Sequence, residues 1–258
     1  MTHPAYGELR QVTPYASVIL ENNPSAMTLE GTNTWLLRAP DAPGSVIVDP
    51  GYEDEAHLTR VAEAAGDVEL ILVTHHHPDH VEGAPWLASR VAAPVRAFDP
   101  TLCADADPLS DGEQVEAAGL TIQVIHTPGH TEDSICLTVE DAVLTGDSML
   151  GRGTTVISDL GAYLSSLRRL KDLPTGTIAL PGHGPELPDT ATTAQEYLTH
   201  REARLNQVRA ALRELGPTAT ARQIVEHVYH DVDRSLWGPA EWSVEAQLAY
   251  LRTTGEAG

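Results

Sequence analysis

At 258 residues the chain is long enough for one large α/β domain, alone or with a small appendage, and 41% hydrophobic residues without a low-complexity block exclude a disordered polypeptide. Sixteen Lys and Arg against 37 Asp and Glu leave a formal charge of −21. That field repels polyanions at long range and weighs against a nucleic-acid reader, although it leaves room for a local basic groove.

The opening segment MTHPAYGELRQV carries neither a secretory nor a lipidation pattern, and no apolar run reaches spanning length. A cytoplasmic protein without a membrane partner is therefore expected. Strands are predicted at ASVIL (16–20), NTWLL (33–37), SVIVD (45–49) and ELILVT (69–74). Between the last two, EDEAHLTRVAEAAG places Leu58, Val61 and Ala65 at helical spacing, with Gly66 as the stop. A second unit follows, with a helix over 82–90, the strand APVRAF, and a loop rich in Pro and Asp reaching to about residue 112. From residue 113 the pattern becomes short β runs, EQVEAAG, LTIQVIHT, SICLTVE and AVLTG. Cys136 lies within SICLTV and reads as a small buried hydrophobe; neither it nor Cys103 has metal-type spacing. A helix over 159–173, N-capped by Asp159, leads to the strand TIALP.

Strands and helices thus alternate twice, which suits an α/β sandwich of two mixed sheets with helices outside. This domain is assigned to residues 1–190. Past PGHGPELPD the pattern is helical throughout. A long connecting helix (191–216) stops at Gly216-Pro217, and a small helical module occupies 217–258. In that module Thr220 and Gln223 have capping-box spacing ahead of Ile224, Val225 and Val228. A second amphipathic segment, over 239–252, carries Trp242, Val244, Leu248 and Leu251.

The densest chemistry lies in THHHPDH (74–80), four histidines and an aspartate after an apolar strand and before a helix. Sites in α/β proteins form at such carboxyl edges. Alternation turns His75 and His77 to one side and His76 to the other, which leaves His76 as the spare one. His75, His77, Asp79 and His80 would suffice for one catalytic zinc. Sequence-adjacent Asp79 and His80 strain that arrangement, and splitting the cluster between two ions leaves each short of ligands. Further candidates exist: His130 in HTPGHT, Asp147 in LTGDS and His183 in LPGHGP, each in a turn or strand end.

These motifs, T-H-x-H-x-D-H followed by TPGHT, TGD and PGHGP, resemble the metallo-β-lactamase superfamily through the first 185 residues. The resemblance implies an αββα hydrolase in which His75, His77 and His130 hold one metal, Asp79, His80 and His183 hold the other, and Asp147 bridges them. Two zinc ions are the implied cofactors, with iron or manganese as alternatives. A metal-bridging hydroxide would be the nucleophile, and Asp79 the carrier of the released proton. Asp49, in VDPG, matches the superfamily's early aspartate, which orients a ligating imidazole.

Within the superfamily, Asp147 argues against a true β-lactamase, and His77 argues against a flavodiiron reductase, which carries a carboxylate there. A mononuclear iron oxygenase similar to the persulfide dioxygenases remains an alternative, since imidazole and carboxylate also suit iron. NPSAMTLEGTNTWLL, LTGDSMLGRGTTVISDL and YLTHREARL extend the resemblance over nearly the whole chain, to the β-lactamase-like protein 2 group. That group includes a single-strand-preferring endoribonuclease with a winged-helix-like tail and thioesterases acting on carrier proteins.

The expected substrate is an ester or thioester, free or carrier-bound, ahead of single-stranded RNA. The tail, with three arginines (Arg222, Arg234, Arg252) among more numerous acids, is not a basic reader. It reads rather as a lid or a homodimer element. A metal-binding scaffold without catalysis is the reading from a different class. Asn33, Thr34 and Arg152, from their loops, and Tyr197, His200, Arg201 and Arg204, from the long helix, are candidate substrate contacts.

Overall fold

The computed structural model describes residues 6–230 and 233–255. Its first sheet contains β1 (Leu9–Gln11), β2 (Ala16–Leu20), β3 (Asn33–Leu37), β4 (Gly44–Val48), β5 (Asp67–Leu72) and β6 (Val95–Arg96), in that order. β1 to β4 pair antiparallel, whereas β4, β5 and β6 are parallel. The parallel steps are made by the crossover helices α1 (Glu55–Ala65), α2 (Pro78–Val81) and α3 (Ala84–Val91). The second sheet contains β7 (Gln114–Ala117), β8 (Leu120–His126), β9 (Ile135–Val139) and β10 (Ala142–Gly146), all antiparallel, with β11 (Ile178–Pro181) added parallel to β10 after α4 (Leu160–Lys171).

The period of two in the strands explains the layers. In the first sheet Val18, Trp35, Leu37, Val46, Val48 and Leu72 face the second sheet, where they meet Ile122, Val124, Leu137, Leu144 and Leu180. Their sequence neighbours Ile19, Leu36, Ile47 and Ile71 face outward against Leu58 and Val61 of α1 and Leu87 of α3. Strands buried on both faces must read as continuous apolar runs, and these do. The outer face of the second sheet, through Cys136, Val143 and Ala179, packs on α4 and the long helix α5 (Thr190–Leu215).

The same apolar cluster continues without a break into α6 (Ala221–Val228) and α7 (Trp237–Thr253), through Ile224, Val225, Val244, Leu248 and Leu251. The helical tail therefore shares a core with the sandwich. Thr220 and Gln223 form the reciprocal capping box that their spacing predicts. A 3-10 turn (Arg234–Leu236) leads into α7, and among the described residues no hairpin follows α6.

Three features depart from the sequence reading. The helix expected over 82–90 forms as α3 over 84–91, and the separate short α2 precedes it, the two parted at Gly83, where a Cβ would stand 2.7 Å from the Tyr52 carbonyl. β5 ends at Leu72, so that Val73 and Thr74 already belong to the loop. β1 was not anticipated, because its edge position leaves it without an apolar pattern. Among the described residues no helix is long and apolar enough to cross a membrane.

Candidate metal centre

The site is assembled where the strands of the two sheets end. Beyond β5 the chain runs through His75 and His77 to Pro78, which opens α2 at a position where no N–H is needed. Asp79 and His80 therefore lie in the first turn of α2. His130 is carried by the loop after β8, Asp147 follows β10 directly, and His183 follows β11. Two glycines permit the approach. At Gly146 (φ +46°) a Cβ would lie 2.6 Å from Thr74 Oγ1, and at Gly182 a Cβ would lie 2.7 Å from both Asp147 Oδ1 and His80.

The side chains form two groups, within each of which the ligating atoms all lie within 4.8 Å of one another. In the first, His77 Nδ1 stands 3.1 Å from His75 Nε2 and 2.9 Å from His130 Nε2. In the second, His183 Nε2 stands 3.3 Å from His80 Nε2 and 3.2 Å from Asp79 Oδ2. Asp147 lies between the groups: Oδ1 is 3.5 Å from His80, while Oδ2 is 3.5 Å from His183 and 3.7 Å from His130. His76 turns away, bonding Asp133 at 2.7 Å with its ring half-exposed.

The outward ring nitrogens decide which inward ones are free. His80 Nδ1 donates to Asp49 at 2.8 Å, His130 Nδ1 to the Val156 carbonyl at 2.7 Å, and His183 Nδ1 to the Gly31 carbonyl at 3.1 Å. His75 Nδ1 meets Thr74 Oγ1 at 3.0 Å, and that hydroxyl donates to Asp49 at 2.7 Å. Each of these rings thus directs the lone pair of Nε2 inward, an alignment typical of metal ligands. Asp49 is buried and has a left-handed backbone (φ +54°), and its carboxylate also accepts from Thr74 N at 2.8 Å.

In the first group, unprotonated nitrogens facing each other at 2.9–3.1 Å repel unless a cation lies between them. Two nitrogens bound to one tetrahedral ion at about 2.0–2.1 Å stand about 3.3 Å apart, so the spacing fits metal ligation. Among the described residues Asp147 Oδ1 is buried without a hydrogen-bond partner, a cost that a second cation would remove. The donor set therefore fits metal on both sides of Asp147.

Electrostatics divide the two groups. Burial, reinforced by neighbouring imidazoles, holds His75 well below the ordinary histidine range and His77 down to about 4; His130 is also lowered, chiefly by burial. Burial acts the same way on His80 and His183, but there the surrounding carboxylates, Asp147 foremost, outweigh it and raise both. Against its own burial, Asp147 is held well below the carboxylate range by His183 and His80, and Asp79 is lowered chiefly by its bond to His183.

The other candidate contacts are, for the most part, engaged with neighbours outside the ligand cluster. Asn33 is buried and donates to the carbonyls of Pro181 at 2.9 Å and Gly184 at 2.8 Å, so it pins the His183 loop. Thr34 is wholly buried and donates to the Asp49 carbonyl at 2.9 Å. Tyr197 is buried and donates to the Gly153 carbonyl at 2.8 Å. Arg201, buried against the Tyr163 ring, donates to the Thr155 carbonyl. Arg152 pairs with Glu30, and Arg204 lies over the Tyr229 ring. His200 is partly buried, with no partner for Nδ1 among the described residues. Tyr197 and Arg201 meet the loop between β10 and α4 because α5 packs with α4 on the outer face of the second sheet.

Beside His77 and His130 opens a cavity of about 620 Å³, closed on its far side by α7. Met27, Trp242 and Glu245 line it, none of them singled out in the sequence as site residues. Their only signal was an apolar residue, Trp242, on a helix whose core face is complete without it.

Residues 27–183 match the model of the metallo-beta-lactamase superfamily, and 220–257 match the beta-lactamase associated winged helix domain. A beta-lactamase-like protein 2 homolog of Drosophila melanogaster is 32% identical over 92% of this chain and 88% of its own length. An atrochrysone carboxyl ACP thioesterase of Aspergillus chevalieri is 31% identical over 95% of this chain and 84% of its own length. Among solved structures, a beta-lactamase domain protein from Burkholderia ambifaria superposes with a TM-score of 0.81 at 25% identity, over 98% of this chain and 90% of that one. With two sheets flanked by helices, a His/Asp cluster at their edge and a C-terminal winged-helix match, the chain belongs to the metallo-β-lactamase superfamily, as a metal-dependent hydrolase whose homologues include β-lactamase-like protein 2 homologues and lactamase-like thioesterases.

Proposed function

We propose that the protein is a dinuclear zinc hydrolase of esters or thioesters, and the observation that carries this reading is the placement of Asp147 between two ligand groups with one buried oxygen unpartnered. His75, His77 and His130 would hold one ion and Asp79, His80 and His183 the other, with Asp147 shared. When bound, such ions supply an acidified water as nucleophile and Lewis acids for the scissile carbonyl. The chain's own residues do the rest. Asp49 and Thr74 lock the tautomers of His80 and His75, and the Val156 carbonyl locks that of His130. Asp79 would take up the released proton; its side chain is slightly more open to solvent than that of Asp147, which supports that role.

The thioesterase relative supports acyl transfer to water. Single-stranded RNA cleavage is the second reading, favoured by the winged-helix match. Against it, Arg222 pairs with Glu226 and Glu241 and stacks on Trp237, and Arg234 lies over the same ring. The deciding experiment measures metal per chain in protein purified without added metal, beside a panel of thioester, ester, phosphodiester and RNA substrates. About two zinc per chain with acyl turnover is expected. One iron per chain with oxygen consumption would sink the reading, and RNA cleavage lost on His80→Ala would reverse the substrate order.

A further inference from the structure

α7 buries one apolar face and exposes a large apolar side chain, Trp242, on another, whereas a helix that serves only the fold needs the first alone. Val244, Leu248 and Leu251 are buried in the shared core. Trp242, Glu245, Ala246 and Ala249, spaced i, i+3, i+4 and i+7, form a second face that lines the cavity beside His77 and His130. Opposite them lie Val156 and Ile157, from the loop that fixes His130, and Met27. Trp242 is 57% exposed and Met27 45%, so two of the largest exposed apolar side chains of the described residues meet at one cavity.

The composition of the cavity selects its occupant. A phosphodiester needs cations along its path, and none of the lining residues is Lys or Arg. The one formally charged lining residue away from the metal cluster is an acid, Glu245. The volume, about 620 Å³, is that of a pocket for a small molecule. Continuity with His77 and His130 places an apolar group held here next to the cluster.

We infer that this face of α7 is the wall of an acyl pocket: Trp242 and Met27 grip an apolar acyl or aryl group while its carbonyl meets the metal cluster. The winged-helix-like module is then the element that selects the acyl group, not a reader of nucleic acid. The inference rests on the ester or thioester reading above and deepens it.

Zinc-loaded full-length protein is tested with sodium acetate and sodium octanoate by calorimetry, and with the 4-nitrophenyl esters of both acids. Octanoate is expected to bind at least about tenfold more tightly than acetate, a small part of what burial of six methylenes allows. Trp242→Ala reduces the octanoate-to-acetate ratio about tenfold in both binding and kcat/KM, and Trp242→Phe retains most of it. Zinc content and thermal midpoint report that the variants are folded. Should neither ester be turned over while octanoate still binds selectively and Trp242→Ala abolishes that selectivity, the reaction is wrong and the pocket stands. Equal binding of the two acids, or a ratio unmoved by Trp242→Ala, overturns the pocket even if esters are hydrolysed. If Trp242→Ala instead impairs single-stranded RNA cleavage and leaves the ratio unmoved, Trp242 is a base-stacking platform.

Discussion

The cradle of imidazoles and the α7 wall face each other across one cavity and are built on opposite principles. In the cradle almost every polar atom is spoken for. Asp49 accepts three bonds, four histidines have their outward nitrogens fixed, and glycines allow Gly146 and Gly182 to press against Thr74 and Asp147. The wall is fixed from behind, by Val244, Leu248 and Leu251, and leaves Trp242 projecting from its front. Geometry that must be held to fractions of an ångström is hydrogen-bonded, whereas a surface that selects an apolar group need only be packed and positioned.

The sharpest break to the cradle is Asp147→Ala. It removes the one carboxylate that, among the described residues, lies against both histidine groups, and leaves each group one donor short. Activity is expected to fall by roughly 10³-fold or more, and metal measured by mass spectrometry to drop from about two ions per chain to about one. Retention of two ions with full activity would show that Asp147 bridges nothing. Asp49→Ala acts one step removed. His80 loses the acceptor of Nδ1–H, so its ring can rotate and change tautomer, and roughly 10- to 100-fold loss of metal affinity is expected from chelator competition.

How much of this contrast was legible in the sequence follows the same division. The ligand turns are short, local patterns after apolar strands, and all seven ligand candidates lie together in the two groups. Spacing also gave the spare role of His76, which the half-exposed ring bonded to Asp133 matches. For Asn33 and Thr34, a motif near a site does not reveal which way its side chains point; the fold buries both against backbone carbonyls, of Pro181 and Gly184 for Asn33 and of Asp49 for Thr34. The surroundings of Arg201 were illegible for a different reason. Nothing local states that α5 packs behind the second sheet, where the guanidinium meets Tyr163 and the Thr155 carbonyl. The α7 wall was missed because Met27 and Trp242 are more than 200 residues apart and meet only through the tertiary fold.

Protons separate the two metal groups and sharpen the contrast inside the cradle. His75, His77 and His130 are lowered, so at pH 7 they are neutral and ready to ligate. His80 and His183 are raised, so an ion entering the second group competes with protons up to a higher pH than one entering the first. Titration with zinc in buffers of different ionisation enthalpy should therefore show proton release with the second ion and little with the first. Below pH 7 the affinity of the second ion should fall about tenfold per pH unit for each proton displaced. Stability of the metal-free protein follows the same signs. The raised pair contributes below the unfolded pKa of about 6.5 and loses that contribution as pH rises through the folded values. The lowered trio contributes above about 6.5 and loses its contribution as pH falls toward the folded values, about 4 for His77.

The wall is broken from behind by Leu251→Ala. Leu251 is fully buried in the cluster that joins α7 to α4 and α5, so about 2–5 kcal/mol of stability should be lost in urea unfolding. Because the cradle does not lean on this residue, the metal count should remain near two, while KM for a long-chain ester rises only a few-fold. A single cooperative transition is expected, since one apolar cluster runs from the second sheet into α7. Two transitions would mean that the helical module folds on its own.

The smallest effect, and the most discriminating, belongs to His76→Ala. His76 lies between two ligands in the densest histidine run of the chain, and its ring sits against that of His77, with centroids 5.1 Å apart. Proximity alone would make it a ligand. Its ring, however, is half-exposed and spends Nδ1 on Asp133 at 2.7 Å, so the alanine variant removes a hydrogen-bonded pair and no inward-facing lone pair. Asp133 is buried and already has one oxygen without a partner among the described residues, yet solvent reaches the space that the ring vacates, which limits the loss to about 1 kcal/mol. Metal content should stay at two ions per chain and kcat/KM should change by no more than about twofold. Loss of an ion in this variant would move the ligand boundary in THHHPDH by one residue, and the alternation that assigns His75 and His77 to the same side would fail with it.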